Sequence, residues 1–434
     1  MIRYPNRINK NIFKESIKNP KSFYGLNPQI EFCKKCTYSN QKPTAEKEYS
    51  HKINTKKNTL TINDQNICRA CLVLEEKKNT DWVKREKLLK KICDKYRKKD
   101  GTYDCIVPGS GGKDSFYASY KLKYEYGMNP LTVTWAPHIY TSWGWKNFNS
   151  WIHSGFDNYL FTPNGKVHRL LTRLSLEKLF HPFQSFIMGQ YYFPARIASK
   201  FKIPLVFYGD TNAEFGQKEN FSSPQRNLHF FSTNNFSNIH IGGTSINDLK
   251  KKFKLSQKEL SPYLPLKPNE LKKIKLNIQY LGYYIPWHPQ ECYYFAAEHG
   301  NFSAAPERNA GTHQKYTGID DKLDDFHYYT TFIKFGIGRS TYDTSVEIRN
   351  GEIDRNEGIS LIKKYEGEFP RRFSEEVFKY LSINKKEFPH AYKQFDQPEM
   401  NLKYFNLLTD KFRSPHIWKY VNKKWKLRKK IWDK

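Results

Sequence analysis

The spacing of apolar and polar positions changes period several times along the chain, and each change predicts an element. Residues 1–30 are polar and basic, with Pro5 and Pro20, and predict an irregular arm. Residues 31–72 stay polar and rich in Lys and Asn around two pairs of cysteines. Over 81–99, Trp82, Leu88, Leu89 and Ile92 fall on one face of a helix. A short apolar run, 103–108, predicts a buried strand that leads directly into Gly109 and then a helix over 113–126. The alternation continues with strands at 131–136, 158–161 and 204–208 and helices at 143–153, 167–180 and 188–200. Strands alternating with helices predict an α/β fold with a parallel sheet covered by helices on both faces. Gly209 and Asp210 close the 204–208 strand, at the edge where such sheets place ligands. From 215 to about 280 the chain is polar and reads as an insertion or lid; a strand at 281–287 and a helix at 290–298 follow. Beyond Gly311 the pattern is helical, at 320–333, 340–349, 355–364 and 374–381, before a basic amphipathic tail. The chain thus divides into a basic arm (1–30), a cysteine region (31–80), an α/β domain (81–300) with its insertion at 215–280, and a mostly helical region (301–434).

Composition changes this picture little. With 434 residues, 38% hydrophobic and 16% aromatic, the chain is long and apolar enough to fold. It lacks an apolar run long enough to cross a membrane and begins without the apolar stretch of a secretory signal, so a cytoplasmic protein is expected. The net charge of +30, from 73 basic and 43 acidic residues, suits a polyanionic partner such as nucleic acid, a membrane surface or a phosphorylated substrate. It equally suits the Lys-, Asn-, Ile- and Tyr-rich composition that AT-rich coding imposes, and the two readings stay open.

The cysteines carry more specific information. Cys33 and Cys36 form one CxxC pair, and Cys68 and Cys71 another. In a cytoplasmic chain two such pairs read as a closed four-thiolate zinc site. An iron–sulfur cluster and unrelated thiols are the alternatives. His51 lies in the spacer, but four cysteines leave it no ligand position.

The segment Gly109–Ser115, GSGGKDS, is the main chemical signal. It is not a Walker loop, because Lys113 precedes Asp114, and not a dinucleotide fingerprint, because its sixth position is Asp. Gly109, Gly111 and Gly112 let backbone amides approach an anion. The following helix start adds unpaired N–H groups and dipole. Ser110 and Ser115 supply hydroxyls, Lys113 a charge, and Asp114 a carboxylate that can cap amides or approach a magnesium ion held by phosphates. ATP and Mg²⁺ are the expected ligands.

The stretch SGGKDS (110–115) resembles the signature of the PP-loop ATP pyrophosphatase superfamily, a Rossmann-like fold of the adenine nucleotide alpha hydrolase type. That resemblance implies cleavage of ATP between the α and β phosphates and adenylation of a substrate oxygen. The block KYTGIDDKLDDFHYYTTFIKFGIGRSTYDTSVEIRNGEI (315–353) is similar to a signature of the N-acetyl sugar amidotransferase family. YGDTNAEFG (208–216), SPHIWK (414–419) and the CxxC pairs match further blocks of it. The resemblance implies conversion of an acetamido group on a bacterial surface sugar into an acetamidino group, as in pseudaminic acid, legionaminic acid or O-antigen synthesis. A CMP- or UDP-linked sugar suits the charge, which does not choose between them.

No glutaminase motif is evident, so ammonia is expected from a separate glutaminase subunit or from solution; Cys292 reads as a core residue. Lys113, Asp114, Asp210 and Asp321 are the expected catalytic residues, and Glu214, Asp320, Asp324, His327 and Arg339 the expected substrate contacts. His288, at another strand end, is a further catalytic candidate. A PP-loop tRNA thiolase or lysidine-type ligase is the rival enzyme, and a zinc-containing nucleic-acid-binding protein the rival of another class.

Overall fold

The structure is a computed structural model and describes residues 1–6, 8–44, 47–210, 212–217, 223–224 and 228–433. Thr211 of the 208–216 block lies outside the described residues, as does part of the 215–280 segment.

Five strands form the central sheet: β1 (Cys105–Pro108), β2 (Pro130–Trp135), β3 (Asn158–Phe161), β4 (Leu205–Tyr208) and β5 (Asn277–Tyr280). Every pairing is parallel, in the order β3-β2-β1-β4-β5. The strands are short apolar runs because both faces are covered. Successive residues face opposite cores, as the pleat requires. Ile106 and Val206 enter the larger core with α5 (Gly165–Leu179) and α6 (Gln184–Phe201). Cys105, Val107, Leu205 and Phe207 enter the other, with Leu89 and Cys93 of α2 (Trp82–Tyr96) and Ala118 of α3 (Lys113–Tyr120). The chain leaves β1 in one direction to build β2 and β3, and β4 and β5 lie on its other side. The strand order therefore reverses between β1 and β4, and a crevice opens at their C-terminal ends.

Two segments differ from expectation. The strand expected at 281–287 is Asn277–Tyr280, and Leu281–Tyr284 is a short helix. Tyr283, Tyr284 and Ile285 pack beside α2 rather than extending the sheet. The 215–280 segment therefore supplies β5. It also sends Phe231, Ile239, Ile241 and Leu249 into the larger core, a burial that its many polar residues conceal.

The C-terminal region continues that core. Phe326 and Ile333 of α8 (Asp324–Phe335) and Leu408 and Trp418 join it, and the basic tail folds as a hairpin, Trp418–Val421 with Lys424–Leu427. The N-terminal arm is irregular but anchored: Phe13 is buried, 4.8 Å from the Trp425 ring, and the Ile2 amide donates to the Gln394 carbonyl. Among the described residues no helix is long and apolar enough to cross a membrane.

Candidate active site

The glycine loop lies at the strand-order reversal, between β1 and α3. Gly111 has φ +85°, and a Cβ there would stand 2.6 Å from the Phe148 Cα, in the backbone of α4 (Ser142–His153). At Gly109 a Cβ would meet Ser115 at 2.1 Å. Close approach thus requires glycine at both positions, and at Gly111 the backbone conformation requires it as well. Gly112 caps α3 without any side-chain bond to the first-turn amides, so those donors face the crevice. Lys113 is buried to 4% exposure, and its Nζ donates to both Asp114 carboxylate oxygens at 2.8 Å. Ser115 Oγ donates to the Gly112 carbonyl, and Ser110 is hydrogen-bonded to Asp320.

Across the reversal stands the end of β4. A Cβ on Gly209 would meet the Trp287 ring at 2.7 Å, so the strand end packs directly against that indole. Asp210 and Glu214 share a hydrogen bond, and Lys77 of α1 (Arg69–Lys78) reaches Glu214 at 2.9 Å and the Trp287 carbonyl at 3.1 Å. Burial and the neighbouring Glu214 push the Asp210 carboxyl well above its ordinary range; Lys77 opposes this and Asp114 adds to it.

Between loop and strand end opens a cavity of about 740 Å³. Lys113, Asp114 and Asp210 line one side, and α9 (Arg339–Asn350) lines the other through Tyr342, Asp343, Val346, Glu347 and Asn350. Tyr38, Tyr208, Tyr316 and Tyr328 add aromatic faces. Thr312 donates to Asp343 at 2.6 Å, and Gln314 and His313 hold Glu347 at 2.5 and 2.9 Å. His288 also lines the cavity. It caps the helix α7 (Pro289–Gly300), accepting from the Glu291 amide, and its Nε2 lies 3.2 Å from Glu352.

The remaining expected residues lie around this cavity in distinct environments. Asp320 bonds Ser110 through its side chain, and its carbonyl accepts from the Thr141 amide. Asp321 accepts from the His138 amide at 2.7 Å, the His138 ring at 2.6 Å and the Leu323 amide at 3.0 Å, so it fixes the loop after β2. Arg339 has no exposed side-chain surface. Its guanidinium faces Asp324 at 3.2 Å and Asp325 and Asp343 at 3.7 Å, donates to the Thr317 carbonyl, and lies 4.5 Å from the Tyr328 ring centre. Burial raises the Asp324 carboxyl to about 8 against the pull of Arg339. His327 does not line the cavity; it stacks on His181 and packs on Phe183, and burial lowers it to about 4. Cys292 is buried beside Trp287, and burial raises its thiol well above the usual range.

The four cysteines meet in one buried cluster, with all sulfurs within 4.8 Å of one another. Cys36 and Cys68 sulfurs are 3.6 Å apart and Cys33 and Cys71 sulfurs 3.8 Å apart. A zinc tetrahedron with Zn–S bonds of about 2.3 Å has edges of about 3.8 Å, which the Cys36–Cys68 and Cys33–Cys71 separations match, so the four thiols could hold a Zn²⁺ ion. The knuckle is attached to α9, where Thr37 Oγ1 bonds Thr344 Oγ1 at 3.0 Å, and to the helix that follows it, whose Arg355 donates to the Cys33 and Cys36 carbonyls. It brings Tyr38 and Lys42 to the cavity wall.

Sequence reasoning passed over Lys77, Tyr38, Lys42 and the α9 carboxylates. The last had a readable signal: Arg339, Asp343 and Glu347 recur every four residues and so share one helix face. Lys77, Tyr38 and Lys42 had none, because only the folded knuckle brings them to the crevice.

Over 84 residues the chain is 37% identical to an uncharacterized protein of Methanocaldococcus jannaschii, a match covering 19% of this chain and 30% of the relative's length. Residues 310–431, which contain α8, α9 and the 315–353 block, match the family model described as "LPS biosynthesis protein WbpG-like, C-terminal domain", and this kinship fits a sugar-modifying biosynthetic role.

Proposed function

We propose that the chain is an ATP-dependent, AMP-forming amidotransferase that converts the acetamido group of a surface-polysaccharide sugar into an acetamidino group. The observation that carries this reading is the cavity itself. On one side stand Lys113 and Asp114, where the glycine loop opens its helix, with Asp210 at the strand-order reversal; the other side is α9, from the region similar to lipopolysaccharide biosynthesis proteins.

In this reading the amides of Gly111, Gly112 and Lys113, with Ser110 and Ser115, hold the β- and γ-phosphates as a PP-loop. Asp114 and Asp210, which both line the cavity, are the carboxylates that would hold a Mg²⁺ ion carried by the nucleotide. The ion would supply charge neutralisation at the phosphates. The acetamido oxygen attacks the α-phosphorus and pyrophosphate leaves. Ammonia adds to the activated carbon, and AMP departs with the former carbonyl oxygen. Glu214, hydrogen-bonded to Asp210 and paired with Lys77, orients that carboxyl, and the added nitrogen releases its surplus proton to solvent. Asp320 and Asp321 act as positioning residues, through Ser110 and His138. Arg339 and Asp324 set the α9 wall, and His327 supports it from behind.

Ammonia would come from a separate glutaminase or from solution. A thiolase would need reactive cysteines, whereas Cys105 and Cys292 are buried with raised thiols. The test is to combine the protein with ATP, Mg²⁺, ammonium and a panel of acetamido sugars and quantify AMP and pyrophosphate. AMP that requires both sugar and ammonium is expected; ADP as product, or AMP release that only RNA stimulates, overturns the reading.

A further inference from the structure

Among the described residues, the charged side chains that line the cavity are paired with one exception. Lys113 is held by Asp114, His288 by Glu352, Glu347 by His313, Asp343 by Arg339, and Asp210 by Glu214 with Lys77 behind it. Lys42 is different. It is 2% exposed, lines the cavity, and has no carboxylate partner among the described residues. Its Nζ donates once, to the Phe215 carbonyl at 2.8 Å, and lies 5.0 and 5.3 Å from the Tyr38 and Tyr342 ring centres. Burial and the neighbouring Arg349 lower this ammonium to about 7 against the pull of the Cys36 and Cys68 thiolates; with one neutral acceptor it keeps two unused donors, which an anionic ligand entering the cavity would engage. The backbone fixes where it stands: the Lys42 amide donates to the Ser39 carbonyl, and its carbonyl accepts from the Leu60 amide.

We infer that Lys42 is the anion-reading residue of the cavity, binding a phosphate or carboxylate oxygen of the acetamido-sugar substrate, while the acidic α9 wall faces hydroxyls. The substrate part of this inference rests on the proposed function; the anion site rests on the pairing pattern alone. Lys42 reaches the cavity from the cysteine knuckle, so the knuckle has a direct part in substrate choice.

Binding without turnover keeps the two ideas separable. The protein is saturated with α,β-methylene ATP to occupy the glycine loop, and calorimetry compares N-acetylglucosamine 1-phosphate, N-acetylneuraminate and neutral N-acetylglucosamine. At least one anionic probe should bind about tenfold tighter than the neutral sugar, as a charge-assisted hydrogen bond provides. Whichever probe gains identifies phosphate or carboxylate as the group read. Lys42→Met should abolish the preference and leave neutral-sugar affinity unchanged, and Lys42→Arg should retain it. If Lys42→Met does not fold, Lys42→Gln keeps a donor for the Phe215 carbonyl and tests the same charge. Equal affinity for charged and neutral probes, no binding of either anionic probe at millimolar concentration, or a preference that survives loss of the charge overturns the inference. None of these readings requires AMP formation, so failure of the amidotransferase reaction leaves the anion site standing or falling independently.

Discussion

Replacing Arg339 by Met separates a structural cation from a substrate-binding one. Its side chain has no exposed surface, and the guanidinium is shared among Asp324, Asp325 and Asp343 and the Thr317 carbonyl. Methionine keeps much of the stem's volume, so the loss is chiefly one of charge. Removing one partner of a buried ion pair costs about 3–5 kcal/mol. Here burial already raises the Asp324, Asp325 and Asp343 carboxyls, so protonation caps the penalty and the lower end, about 3 kcal/mol, is expected. Against a domain stability of about 5–15 kcal/mol this is a large fraction. Urea denaturation should show the midpoint falling at unchanged slope. Lysine should rescue poorly, because it lacks the planar fork that reaches three carboxylates. An unchanged midpoint together with a raised KM for the sugar would refute the buried-hub account and return Arg339 to the substrate.

Three further outcomes follow from the same geometry. Gly111→Ala places a Cβ 2.6 Å from the Phe148 backbone at φ +85° and so displaces the loop; AMP formation should fall about 100-fold, the scale of a 1 Å misplacement, with little change in fold by circular dichroism. Burial lowers His168 and His181 well below, and His327 and His416 to about 4 from, an ordinary imidazole value of 6.5. Because the unfolded chain takes up these protons first, their contribution is complete above about pH 6.5 and is lost as pH falls towards 4, with a slope of up to about 1.4 kcal/mol per pH unit for each imidazole; thermal melts across that range check the sign. Thiol oxidation or strong chelation should release one zinc ion per chain from the four-cysteine cluster and lower sugar affinity before it lowers ATP affinity, because Tyr38 and Lys42 reach the cavity from the knuckle and the glycine loop does not.

Much of the α/β core was legible because buried parallel strands are short, apolar and punctuated. Asn158–Phe161 appears where its pattern places it, and β1 leads directly into the glycine loop. The fifth strand was displaced because NIQY carries two polar side chains, while the apolar LGYYIPW after it satisfies its periodicity by turning against α2. In the site, the loop glycines and the CxxC pairs declared themselves by spacing. Asp210 and Glu214 were visible as residues at a strand end, but not as a pair sharing a hydrogen bond. Arg339 illustrates the opposite limit: an Arg inside GIGRS suggests an anion ligand, and only tertiary packing shows that three aspartates already surround it. Lys42 carried no signal, since its meaning lies in the absence of a partner.

The most direct test of the central claim follows one oxygen atom. An acetamido sugar labelled with ¹⁸O in the amide carbonyl is turned over with unlabelled ATP and ammonium, and the AMP is analysed by mass spectrometry. AMP carrying one ¹⁸O in its phosphate is expected, with pyrophosphate unlabelled and an acetamidino sugar formed in equal amount. Unlabelled AMP, or release of ADP and phosphate in its place, would contradict it.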